Sequence, residues 1–220
     1  MEVNLASCKG GGEVRMTSDT DAAVTLDLPG TRGGKRRARI LSAFHDCIIS
    51  KGYNKTTLRD VACTANMSPS HLLYYFSGKD TLLWHYFKSV AQRIIERVES
   101  FRDEPPEHKI DLLADLFFAG KGITRSEIGF MLECFGVAVH DRELRRDKKK
   151  LDRFCKSCLT EVFEQSPCGP SNARAYAEVS YAMLIGLRTA AYFDKRLGLP
   201  RARSLFHDQM LNLAGFDHPG

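Results

Sequence analysis

No stretch of 18 apolar residues occurs in the chain, so nothing in it reads as a membrane-spanning helix. The first thirty residues are small and polar and lack the apolar core of a secretory leader. With an odd count of 7 cysteines, this points to a reduced, cytoplasmic protein without a disulfide framework. A Gly-rich phosphate loop, Gly-x-Ser-x-Gly, His-Glu-x-x-His and a close pair of catalytic carboxylates are also missing, which leaves no positive sign of an enzyme. No segment alternates apolar and polar residues as a half-buried strand does, and there is no internal repeat. What remains is an all-α reading. The composition, 43% apolar and 27% charged over 220 residues, is ordinary for a globular chain that buries a sizeable core.

The most informative stretch runs from Thr57 to Lys79. Thr57 with Asp60 three residues later is a helix start, and Leu58, Val61, Ala62 and Ala65 follow at helical spacing. Asn66 tolerates the left-handed backbone of a tight turn, and Ser68-Pro69 supplies a new N-cap followed by proline at the first helical position. Ala62 is small enough for two helices to cross, with Leu72 and Phe76 facing back. This is the pattern of a helix-turn-helix, whose second helix enters the DNA major groove.

Charge supports that reading over a pair of ordinary core helices. Residues 31–102 carry 13 Lys and Arg against 5 Asp and Glu, a net of +8. Residues 1–30 carry 2 against 5, and residues 103–220 carry 17 against 17. All the excess of a chain with net charge +5 therefore lies around the helix pair, as expected of a module that neutralises phosphates. Five of those basic residues fall in Thr31–Arg39, which reads either as an arm on the DNA backbone or as a solvated basic tail.

From Arg39 to Leu83 the residues Lys51-Gly52-Tyr53, Thr56-Thr57, Asp60-Val61-Ala62, Met67-Ser68, Tyr75-Phe76 and Lys79 occur in an order and spacing that resemble the DNA-binding region of TetR-family transcriptional regulators. Asn66 stands where that family usually has glycine, and Ser70, His71 and Leu73 depart from its groove-facing pattern. The resemblance implies a three-helix DNA-binding domain followed by a six-helix ligand-binding and dimerisation bundle, about nine helices in all. Domains are expected at 1–30 (a disordered tail), 31–78 (helix-turn-helix with basic arm) and 79–220 (bundle). Ser70, His71 and Tyr74 are expected at bases or sugars, Arg59 at a guanine, and Thr57, Tyr75 and Lys79 at phosphates, with Ser68 beside them.

The periodicity predicts helices near Lys35–Lys51, Lys79–Phe101, Glu107–Ala119, Thr124–His140, Arg142–Gln165, Asn172–Arg196 and Pro200–Leu213, punctuated by glycines and prolines. Two of them, around Ile128–Val139 and Tyr176–Phe193, are apolar nearly all round and need cover on more than one side. The resemblance assigns one face of the second to a partner subunit, with Gly186 and Ala190 allowing close approach. Within these runs Phe87, Phe117, Met131, Phe135, Met183, His140, Arg188 and Tyr192 are the candidates for an effector pocket, apolar with a few placed polar groups. The plainer alternative is a filled core in which Arg188 and Glu133 form ion pairs and His140 caps its helix.

Cys155-x-x-Cys158 lies inside a predicted helix with no second ligand pair nearby, so no metal or cofactor is implied. A helical thiol enzyme or redox sensor built on these two residues is the alternative function. The main expectation is a homodimeric DNA-binding regulator, a repressor released from a palindromic operator by a lipophilic or aromatic small molecule, with Arg188 hinting at an acidic one.

Overall fold

The computed structural model describes residues 31–119 and 124–216. The tail expected over residues 1–30 lies outside the described residues. Among those described there are nine α-helices and no strand: α1 Arg32–Lys51, α2 Leu58–Thr64, α3 Pro69–Tyr75, α4 Lys79–Glu99, α5 Pro106–Phe118, α6 Arg125–Ala138, α7 Arg142–Glu164, α8 Pro170–Phe193 and α9 Gly198–Ala214. No helix among them is long and apolar enough to cross a membrane.

Local chemistry sets the first three helices. The Thr31 hydroxyl accepts from the Gly34 amide at 3.0 Å, so α1 starts there and its first turns are the basic run that the sequence suggested as an arm. Ile40, Ala43, Phe44, Cys47 and Ile48 form its buried stripe, and Gly52, at φ 80°, turns the chain away. At α2 the Asp60 amide donates to Thr57 Oγ1 at 3.2 Å while the Thr57 amide donates to Asp60 Oδ2 at 2.8 Å, a reciprocal cap. Asn66 takes φ 52° in the turn, the one non-glycine with positive φ among the described residues. Ser68 then caps α3 by accepting from the His71 amide at 3.2 Å. Ala62, Leu72 and Phe76 are buried where the two short helices meet α1 and α4.

Helix α4 joins this unit to the bundle. Leu82, Leu83, Phe87, Val90, Ile94 and Val98 are all buried, so one stripe runs along it from the end beside α1–α3 to the far core. It ends at Glu99, two residues earlier than its periodicity suggests, because Phe101 reaches the core from the following turn. Burying side chains of this size contributes roughly 1.5–3 kcal/mol each. α7 and α8 make the most extensive contact in the bundle, and α9 packs on both α5 and α8. α8 begins at Pro170 and ends at Phe193, earlier at both ends than predicted. It buries Ala173, Ala177, Ser180, Leu184, Arg188 and Ala191 on one side. Its other side leaves Val179, Ala182, Gly186, Ala190 and Phe193 exposed at the same helical spacing.

Candidate nucleic-acid interface and ligand-binding core

Helix α3 buries only Leu72 fully, and Pro69, Ser70, Leu73 and Tyr74 face outward. Tyr74 is 81% exposed, Ser70 is exposed on the same helix, and Thr57 and Arg59 are exposed at the start of α2. An aromatic ring so displayed next to a basic helix is placed to meet a partner surface. His71 and Tyr75 are half-buried because the start of α1 reaches over them. Arg36 Nη1 lies 3.3 Å from His71 Nε2 and 3.5 Å from Tyr75 Oη, and Arg37 Nη1 donates to the Tyr75 carbonyl at 3.1 Å. The Arg37 guanidinium also sits 5.7 Å and 5.4 Å from the Tyr75 and Phe76 ring centroids. The outward face of α3 and the α1 arginines thus form one continuous surface. The basic run was visible in the sequence, but its placement on α3 depends on the packing of α1 and carries no local signal.

Lys79 is more tightly held than a free phosphate contact. Its Nζ donates to the Tyr53 carbonyl at 3.0 Å and lies 4.2 Å above the Tyr53 ring. Tyr53 in turn donates its hydroxyl to Asp80. Ser68 and Thr57 also have local duties, since each hydroxyl caps a helix. Lys51, 2.7 Å from Asp60, and then Thr57 hold the Asp60 carboxyl well below the usual carboxylate range, so the α2 cap stays ionised.

In the bundle, the eight candidate ligand residues do not line one cavity. Phe87, Phe117 and Met131 are buried. Phe135 and Met183 are half-buried, the Phe135 ring lying 4.6 Å from Lys148 Nζ. His140 is exposed beyond the end of α6 and, with Tyr192, lines a cleft of about 900 Å³ shared with Tyr53, Asp80, Glu133 and Asp141. The Tyr192 ring is held by the Arg125 guanidinium at 5.2 Å. Phe117 instead borders a void of about 10 Å³ with Val98, Leu113, Cys155, Leu184 and Phe206.

One ion pair has no local signal in the sequence. Glu127 caps α6 through Thr124 and accepts from Arg93 of α4, tying α4 to α6. Thr124-x-x-Glu127 was readable as a capping box, but its cation was not.

Arg188 is only 7% exposed, its guanidinium 5.5 Å from the Phe117 ring centroid. Its Nε and Nη2 have no hydrogen-bond partner among the described residues, nor does the Ser180 hydroxyl two turns earlier on the same buried stripe. Burial pulls its pKa down to about 10, so the guanidinium remains charged at neutral pH. Burial pushes Cys155 up to about 12 and Cys158 up to about 11, which keeps both thiols protonated. No cluster of metal-ligating side chains occurs among the described residues.

Residues 40–86 match the model for bacterial regulatory proteins of the tetR family, and residues 106–214 match that for the C-terminal part of BetI-type transcriptional repressors. The chain belongs to the TetR family of transcriptional regulators. It is 28% identical over 182 residues to the HTH-type transcriptional regulator BetI 1 of Chromohalobacter salexigens, a match spanning 79% of this chain and 87% of that one. A crystal structure of a transcriptional regulator from Rhodococcus sp. Rha1 shares the fold with a TM-score of 0.72 at 17% identity, covering 83% of this chain and 99% of the other. A Saccharomonospora viridis protein in complex with choline superposes with a TM-score of 0.71 at 19% identity, over 79% and 94% of the two chains.

Proposed function

We propose that this regulator is a cytoplasmic repressor that holds a palindromic operator as a two-fold dimer and lets go when a small molecule enters its C-terminal bundle. The observation that carries the reading is the outward face of α3, with Tyr74 exposed and Arg36 laid against His71, in the segment that holds all the excess positive charge. Ser70, His71 and Tyr74 meet base edges or sugars, Arg59 a guanine, and Thr57, Tyr75 and Lys79 the phosphates around Ser68. The exposed apolar stripe of α8, with Leu205 of α9 40% exposed beside it, supports the dimer. Two α3 helices on successive major grooves then stand about 34–36 Å apart, which makes the operator palindromic.

Release requires the ligand to prefer the DNA-incompetent state, and a tenfold loss of operator affinity needs about 1.4 kcal/mol of preference. Helix α4 supplies a rigid connection, since His85 near its start meets Phe76 at the end of α3 and Val98 near its other end borders the void beside Phe117. The C-terminal match to BetI-type repressors supports repression over activation. A thiol enzyme or redox sensor at Cys155 and Cys158 is disfavoured because one sulfur is buried and both thiols are held protonated. The test is a gel shift on the DNA flanking the protein's own gene. A discrete retarded complex that outcompetes a scrambled duplex supports the reading, and equal retardation of both contradicts it.

A further inference from the structure

A guanidinium taken out of water is normally paired, because the desolvation of a lone buried charge is among the largest penalties a fold carries. Arg188 is the exception here. Among the described residues no carboxylate bonds to it, and of the titratable groups that face it, Tyr181, Cys155 and Glu127, Tyr181 is turned to Asp152 and Glu127 to Arg93. Glu127 is held by Arg93 and Thr124, while Asp152 accepts from Tyr181 Oη at 2.5 Å and from Lys148 Nζ at 2.7 Å. Cys155 faces Arg188 as a protonated thiol. The two idle donors, Nε and Nη2, lie on one edge of the guanidinium, and that edge fits the two oxygens of a carboxylate side by side. The opposite requirement, an apolar surface for the rest of a ligand, is met on the far side of Phe117, whose ring the guanidinium faces at 5.5 Å. The void there is otherwise walled by Val98, Leu113, Leu159, Leu184 and Phe206 with the thiols of Cys155 and Cys158, and Arg188 reaches it only past the Phe117 ring.

We propose that Arg188 anchors the carboxylate head of a small ligand whose apolar body occupies an opened form of the void beside Phe117. The proposal rests on the reading of the protein as a ligand-responsive regulator and names the chemical class of its effector. At about 10 Å³ the void as it stands holds no more than about one water, so binding must displace side chains. A route in exists. An open pocket of about 230 Å³, bordered by Phe154 and Ser157, shares Val98, Leu113 and Cys158 with the void. Displacing Val98 moves the far end of α4, the element that continues to the DNA-binding helices. A quaternary ammonium, such as the choline held by the Saccharomonospora viridis protein, would instead set a second positive charge against an uncompensated one in a medium of low dielectric. On this account the chain shares that protein's fold but takes a ligand of opposite charge.

The test measures binding of hexanoate, decanoate, benzoate and phenylacetate to the full-length protein by calorimetry, with decanol and choline as neutral and cationic controls. At least one carboxylate should bind, and neither control should bind as tightly. Arg188→Met should weaken that carboxylate about ten- to a hundredfold while leaving operator affinity without ligand unchanged. Its unliganded melting temperature should equal or exceed the wild type's, because an unpaired buried charge has been removed; a purely structural arginine would lower it. Arg188→Lys, which keeps the charge, should still prefer the carboxylate to decanol, and it serves if the methionine variant does not fold. The proposal is overturned if no carboxylate binds, if decanol or choline binds as well as the best carboxylate, or if Arg188→Met keeps wild-type affinity. A gel shift on the same preparations separates the two readings. Operator binding without carboxylate binding removes only the ligand class, and carboxylate binding without operator binding removes only the regulator.

Discussion

The imidazole of His45 on α1 stacks on the Tyr86 ring of α4, with centroids 5.3 Å apart and the planes inclined by 29°. Phe130 of α6 closes the third side at 6.0 Å from the imidazole. This is where the DNA-binding helices meet the bundle, and His45 Nδ1 is buried there without a hydrogen-bond partner among the described residues. Burial lowers the His45 pKa, with Asp46 and Glu127 opposing and Arg93 adding to the fall.

That junction makes stability depend on pH with a definite sign. An unfolded histidine takes up its proton near pH 6.5. Since folding depresses the His45 pKa, its contribution is fully present above about 6.5 and is lost as pH falls from there through the depressed value. His85, lowered by burial and then by Arg37 and Lys88, acts in the same direction. The melting temperature should therefore drop between pH 7.5 and 5.5. His45→Phe, which keeps the ring stack, should change stability at pH 7.5 by under about 1.5 kcal/mol and flatten the slope. Circular dichroism melts of both proteins across that range check it, and identical slopes would contradict it.

Gly129 on α6 is packed against Tyr192 of α8. A methyl group there would stand 2.6 Å from the Tyr192 hydroxyl oxygen and 2.9 Å from two ring carbons, and Arg125 restrains the ring from moving away. In an open helix, glycine to alanine gains about 1 kcal/mol. Here Gly129→Ala should instead destabilise by about 1–3 kcal/mol, and adding Tyr192→Phe should restore part of the loss. Urea unfolding decides the sign, and a more stable Gly129→Ala protein would show that the two helices are not in contact at this point.

Gly186 lies in the middle of the exposed α8 stripe with nothing within 4 Å of where a side chain would begin. Gly186→Glu should therefore leave the subunit folded while placing a charge in the proposed dimer interface. Light scattering at micromolar concentration should show the wild type at twice 24.7 kDa and the variant at 24.7 kDa. Operator affinity of the variant should fall at least about tenfold as it is left with one half-site at a time. A wild type already at the single-chain mass would remove the dimer.

The comparison of sequence with structure separates local signals from distant ones. Thr57 with Asp60, Asn66, and Ser68-Pro69 act within a few residues of themselves, and the structure shows each in the role that its chemistry implies. The order and type of the helices followed from periodicity for the same reason. Helix ends were less legible where packing decides them, as with Phe101, which is buried from outside α4, and Phe193, where α8 stops short of Arg196. The contacts that define the sites were not legible at all. Arg36 on His71, Arg93 on Glu127 and the unpaired edge of Arg188 each depend on side chains far apart in the chain. The candidate ligand residues were chosen for being apolar on inward faces, and that property does not distinguish a cavity wall from a filled core.

The central claim, that the α3 face reads operator DNA, is tested most directly by fluorescence anisotropy titrations over a range of salt, using the duplex flanking the gene and a scrambled duplex. The wild type should prefer the first by about a thousandfold or more. Arg59→Ala and His71→Ala should each lose about 1–3 kcal/mol at particular base pairs, whereas Lys79→Ala should weaken both duplexes alike and reduce the salt slope by about one. If the wild type binds both duplexes equally, or if Arg59→Ala, His71→Ala and Lys79→Ala share one sequence profile and one salt slope, then α3 does not read the operator.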